Sequence, residues 1–183
     1  MKNRIFIALN IDKESKEDIN KFIKENLFPF QTRASWARPE NMHITLAFIG
    51  KIKTKLLERL IDGIKTITFN PFTFQTEVIS GFPNIKRPRV IWIGTTKKDD
   101  QPCHYYTQII GALNSSHITF DKKPDFIPHI TLARLKGPID KQDVSKIEIA
   151  SKQLPLEIKI TSLSIYESIL SPNGAKYIEL MRI

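Results

Sequence analysis

The pentapeptide His-Ile-Thr-Leu-Ala occurs twice in this chain, as His43-Ile44-Thr45-Leu46-Ala47 and as His129-Ile130-Thr131-Leu132-Ala133, 86 residues apart. Two imidazoles titrate near neutral pH, so one can accept a proton while the other, charged, donates one. They can work as a general acid–base pair. Thr45 and Thr131, two residues on, supply hydroxyl donors for the non-bridging oxygens of a phosphate and for the charge that develops there during transfer. Phosphoryl transfer needs its attacking and leaving groups roughly in line, which suits a base on one side and an acid on the other. A lone HxT on a half-buried strand is ordinary. Two identical copies point to a site built from two half-sites.

Other chemistries find less support. A catalytic zinc ion needs about three protein ligands, and neither copy adds a carboxylate or a second histidine at ligand spacing. The remaining histidines, His104 and His117, flank a predicted helix and read as surface residues. There is no GxSxG elbow for a serine nucleophile and no GxxxxGK[ST] phosphate loop. The only cysteine, Cys103, excludes an internal disulfide and has no context that marks it as a nucleophile.

The elements that must position these groups can be read from periodicity. Side chains alternate across a strand, so His43 and Thr45 share one face while Ile44 and Leu46 share the other, and the same holds for the second copy. Ahead of the first copy, Ile5–Leu9 predicts a strand. Asp12 then caps a helix carrying Ile19, Phe22, Ile23 and Leu27, which Pro29 closes. Trp36, Arg38 and Pro39 lead into the first HITLA strand, and Gly50 is expected to end it. Leu56, Leu57, Leu60, Ile61 and Ile64 predict a second helix. Strands follow over 72–79 and 89–94, joined by a Gly/Pro-rich loop over 81–88. Past a turn over 97–102, Tyr106, Ile109, Ile110 and Leu113 mark a helix before the second HITLA strand. Gly137-Pro138 breaks the chain, 140–149 predicts a short helix, and a strand over 156–160, which 163–168 continues or repeats, leads to a hairpin turned at Ser171-Pro172-Asn173-Gly174. The order is similar on both sides of a midpoint near residue 98. A duplicated α+β unit is expected: two antiparallel sheets facing a central cleft, helices outside.

With 183 residues, 41% apolar and 26% charged, the chain reads as one folded unit. No apolar run approaches the ~20 residues of a membrane span, and the N-terminus reads as a strand, so a cytoplasmic, membrane-free protein is expected. Lys plus Arg number 28 against 19 Asp plus Glu, a net charge of +9 that fits a polyanionic partner.

The two HxTx motifs resemble those of the two-histidine phosphoesterases, and within that superfamily the chain resembles the RNA 2′,3′-cyclic phosphodiesterases, also called 2′-5′ RNA ligases. The likeness extends through Phe6-Ile7-Ala8-Leu9, residues 36–43, Gly81-Phe82-Pro83, residues 88–92, residues 126–134 and residues 168–177. It implies a single domain over 1–183 with two pseudo-symmetric lobes, and both motifs in the cleft. It implies hydrolysis of a terminal 2′,3′-cyclic phosphate on RNA to a 2′-phosphate without metal or other cofactor; a monomer is expected, although the sequence itself does not fix the oligomeric state. In such enzymes the first histidine donates a proton and the second accepts one, which assigns His43 as acid and His129 as base. Arg134 matches the family's second motif and would hold phosphate with its planar fork. Arg134 lies five residues from His129, the opposite face of an unbroken strand, so a bulge or strand end must redirect it. Phe48 holds the same place in the first copy, where it could stack a nucleobase or be buried. Trp36 and Arg38 are open to loop anchoring or RNA contact.

Two alternatives stand beside this reading. One is an RNA-end-binding module without catalysis, separable from an enzyme by turnover of a 2′,3′-cyclic dinucleotide. The other is 2′-5′ RNA ligation, or cleavage of another 2′-5′ or cyclic phosphodiester.

Overall fold

The computed structural model describes residues 3–97, 100–122, 125–171 and 174–183. Its first strand, β1 (Asn3–Ile11), is followed by α1 (Lys13–Asn26), whose N-cap Asp12 accepts from the Ser15 amide at 2.9 Å. Next come the short β2 (Ala34–Trp36), one 3₁₀ turn (Pro39–Asn41), the first motif strand β3 (His43–Ile52) and α2 (Thr54–Lys65). Strands β4 (Phe72–Gln75), β5 (Val78–Phe82) and β6 (Val90–Gly94) precede α3 (Gln101–Ser115). The second motif strand β7 (His129–Leu135), α4 (Lys141–Ser151), β8 (Glu157–Ser171) and β9 (Gly174–Arg182) complete the chain.

Among the described residues the strands form nine-stranded antiparallel pairing in the order β4-β8-β1-β3-β7-β6-β5, with β9 on β8 and β2 on β7. The two expected sheets are its halves. They are continuous through one paired position, Ile44 with Ile130. Helices α1 to α4 bury Ile19, Phe22, Leu60, Ile64, Ile109, Leu113 and Ile147 in the same core as Ile44, Leu46, Ile130 and Leu132. The motif isoleucines and leucines thus face the helices, as the alternation predicts, and the histidines and threonines face away.

Three expectations are corrected. Gly50 does not end β3, which runs on to Ile52; the glycine sits at φ 73°, a left-handed conformation open to it without a Cβ penalty, where the pairing with β1 slips a residue. The stretch 72–79 is two strands at opposite edges of the sheet. The chain crosses between halves at Thr76, whose amide bonds Leu156, and Glu77, whose amide bonds Gly94. The buried positions change parity across it, from Phe74 and Thr76 to Ile79 and Gly81, so the two strands do not share one alternation. Residues 163–168 continue the strand that 157–160 begin, as one of the two expected readings has it, in the single strand β8. His104 lies within α3 rather than beside it, and is exposed. The turns expected at 97–102 and 171–174 include residues 98, 99, 172 and 173, which lie outside the described residues.

Candidate active site

Each motif strand carries a β-bulge at the same residue. On β3, Ala47 pairs with Ile7 and Thr45 with Ala8, leaving Leu46 as the extra residue. On β7, Ala133 pairs with Ile91 and Thr131 with Trp92, leaving Leu132 extra. A bulge puts two consecutive side chains on one side and inverts the alternation beyond it. Leu46 and Ala47 are accordingly both buried, as are Leu132 and Ala133. Phe48 and Arg134 emerge on the histidine face, Phe48 with 48% of its surface exposed. The bulge supplies the redirection that Arg134 requires.

Both histidines are half-buried and oriented by backbone carbonyls. His43 Nδ1 donates to the Asn41 carbonyl and His129 Nδ1 to that of Ile127, each at 2.7 Å. Nδ1 therefore holds the proton of the neutral ring, and Nε2 presents the lone pair. His43 Nε2 lies 2.9 Å from Thr45 Oγ1, which donates to the neutral ring and accepts from the charged one. Thr131 is half-buried on the same face. Aromatic rings pack around each imidazole: Phe6 and Tyr177 lie 5.1 and 5.4 Å from His43, Phe82 and Trp92 4.8 and 5.8 Å from His129.

This environment disfavours charge on the rings. Burial pushes His43 down to about 4; its bond to Asn41 opposes the shift, while the cations Lys16, His129 and Arg134 add to it. Burial also lowers His129, with Arg134 adding to the effect. Arg134 acts electrostatically on both histidines and on Tyr177, so it reaches the ground between the two half-sites. A cavity of about 370 Å³ opens beside His43, lined in part by Asn10, Lys16, Arg38, Tyr166, Lys176 and Tyr177. A larger cavity of about 1070 Å³ lies between β4 and α3 and includes no motif residue. Trp36 is an anchor, its ring packed 5.0 Å from Phe28 and 5.2 Å from Phe30. Among the described residues, no group of three or more His, Cys, Asp or Glu is placed to hold a metal ion.

Sequence reasoning missed the support behind His43. Asn10 pairs with His43 across the β1–β3 ladder, and its buried amide donates to Ser162 and Ser164 at 2.8 and 2.7 Å while its carbonyl accepts from Tyr166 at 2.7 Å. Ser164 in turn donates to Glu179, which Arg182 grips with two nitrogens. The visible signal was an asparagine inside the apolar run 5–11.

A family model described as LigT like phosphoesterase matches residues 10–92 and 105–177, with a motif strand in each segment. The chain belongs to this family. Among its LigT-like relatives, an RNA 2′,3′-cyclic phosphodiesterase of Archaeoglobus fulgidus is 29% identical over 97% of both chains. One of Thermotoga maritima is 29% identical over 95% of this chain and 91% of its own. The LigT-like fold is seen in crystal structures of E. coli LigT in apo form, with a TM-score of 0.74 at 20% identity over 100% of this chain and 96% of that one, and complexed with 3′-AMP, with 0.73 at 21% over 100% and 98%. Among the described residues no helix is long and apolar enough to cross a membrane.

Proposed function

We propose that this protein hydrolyses the terminal 2′,3′-cyclic phosphate of RNA to a 2′-phosphate by acid–base catalysis between His43 and His129, without a metal ion. The observation that carries the reading is the pair of carbonyl-oriented imidazoles on one face of the sheet, related by the bulged HITLA strands. The names of the Archaeoglobus and Thermotoga relatives support the substrate class.

Water attacks phosphorus, its proton passes to Nε2 of His129, and the P–O3′ bond breaks as His43 protonates O3′. The depressed pKa of His129 suits this base, since the neutral ring dominates at pH 7. His43 is also neutral in the free protein. It takes up its proton as the anionic phosphate enters, because a negative charge beside the ring favours its charged form against the burial that lowers it and against Lys16 and Arg134. Arg134 and the two threonine hydroxyls stabilise the charge on the non-bridging oxygens.

Substitution of sulfur for O3′ tests the division of roles. A thiolate departs without a proton, so the sulfur substrate rescues His43→Ala and leaves His129→Ala impaired. The reverse pattern exchanges the roles. Equal rescue of both variants, or of neither, overturns the acid–base assignment.

A further inference from the structure

The open face of β7 continues past the histidine site as a row of cations. Beyond the bulge at Leu132, Arg134 emerges on the histidine face, and Lys136 follows immediately past the end of β7. Strand β2 runs alongside. Ser35 pairs with Arg134 and Ala34 with Leu135, and the amide of Lys136 bonds the carbonyl of Arg33 at 2.9 Å. That bond extends the β2–β7 pairing by one rung and sets Arg33 and Lys136 opposite each other just past the strand ends, next to Ser35 and Arg134, and all three cations are exposed.

Like charges placed opposite each other repel. The ion pairs among the described residues engage Lys13, Lys21, Lys97, Lys146, Lys159 and Arg182, and none of these three. A polyanion lying across them relieves that repulsion. The first lobe differs. The local two-fold places Phe48, not a cation, where β7 has Arg134, and a second dibasic pair, Arg4 with Lys51, lies beyond a further slip in pairing. On the β7 arm, in contrast, the cations begin directly after the bulge, with Arg134 followed by Lys136 and Arg33.

We propose that the RNA leading up to the cyclic phosphate lies single-stranded along the open face of β7, with Arg33 and Lys136 holding phosphates that precede the one at Arg134. This rests on the cyclic phosphodiesterase reading and adds to it the path of the chain. It makes Arg33 and Lys136 binding residues for the polymer that a mononucleotide never reaches.

The experiment compares kcat/KM on a 2′,3′-cyclic mononucleotide and on a tetranucleotide with the same end, for the wild type, the Arg33→Ala/Lys136→Ala variant and the charge-matched Arg4→Ala/Lys51→Ala variant. The first double variant keeps wild-type activity on the mononucleotide, which also reports that it folds. On the tetranucleotide it loses on the order of tenfold, for two exposed ionic contacts. Its logarithmic salt slope falls by about 1.4, at ~0.7 per phosphate contact for single strands. The Arg4/Lys51 variant tracks the wild type on both. If the Arg33/Lys136 variant matches the wild type on the tetranucleotide, or the Arg4/Lys51 variant carries the loss, the path is overturned while the activity stands. If the wild type turns over neither substrate, the activity itself falls, and the path with it.

Discussion

Ile44 and Ile130 face each other at the position through which β3 and β7 join the two half-sheets, and each is the second residue of an HITLA copy. In an antiparallel pair, a local two-fold axis through that contact carries 43 onto 129, 45 onto 131 and 48 onto 134. Two buried side chains at the centre of the sheet thereby set the relation between two imidazoles on its open face. The axis is a symmetry of backbone and motif. The electrostatics depart from it, since Arg134 has Phe48 as its counterpart and Lys16 acts on His43 alone.

Either single change, His43→Ala or His129→Ala, is expected to lower kcat/KM on a 2′,3′-cyclic dinucleotide by ~10²–10⁴-fold, the usual cost of a lost general acid or base. Far-UV circular dichroism should be unchanged. Retention of near wild-type turnover by either variant contradicts a two-histidine mechanism.

The depressed pKa of His43 makes stability depend on pH. The unfolded chain binds the proton near 6.5 and the folded one only at about 4, so between these values the unfolded state holds more protons. Stability therefore falls as pH is lowered from 6.5 toward 4. Denaturant midpoints measured across that range should drop less steeply in His43→Gln; parallel curves for both proteins rule the effect out.

Asp143 ties α4 to the segment before β2. Burial raises its pKa, but hydrogen bonds from the Thr32 hydroxyl and the Gln31 and Thr32 amides outweigh this and hold it below the usual carboxylate range. Asp143→Ala leaves those donors unsatisfied and should destabilise the protein by about 3 kcal/mol in chemical denaturation. A loss under ~0.5 kcal/mol would mean that water replaces the carboxylate.

Gly94 pairs with His129, and a Cβ there would stand 2.1 Å from the Pro128 carbonyl oxygen and 2.9 Å from the His129 Cα. Gly94→Ala must push back the start of β7. A displacement near 1 Å costs on the order of 10²-fold in rate. Activity should fall more than folding does, and unaltered kcat would show that the strand absorbs the methyl elsewhere.

Hydrolysis of a cyclic phosphate is expected to survive exhaustive chelation. Activity lost to a chelator and restored by one divalent ion would replace the metal-free mechanism with a metal-assisted one.

The sequence by itself determined the residue types on which the proposed chemistry rests and most of the local structure. Histidine and threonine two residues apart share a face of any strand, the N-cap at Asp12 follows from its side-chain oxygen, and the apolar stripes of α1 and α2 follow from helical spacing. These are properties of a few neighbouring residues. The tertiary structure decided which face Arg134 takes, where the 72–79 stretch divides, and what hydrogen-bonds Asn10 beside His43. Alternation holds only while pairing is unbroken, and an extra residue such as Leu46 or Leu132 is extra only relative to the partner strand. A crossing at Thr76 and a buried amide at Asn10 are likewise defined by residues about 80 and 150 positions away in the chain. Register is a long-range relation, so the faces of Arg134 and Phe48 became fixed only when β6 and β1 were in place.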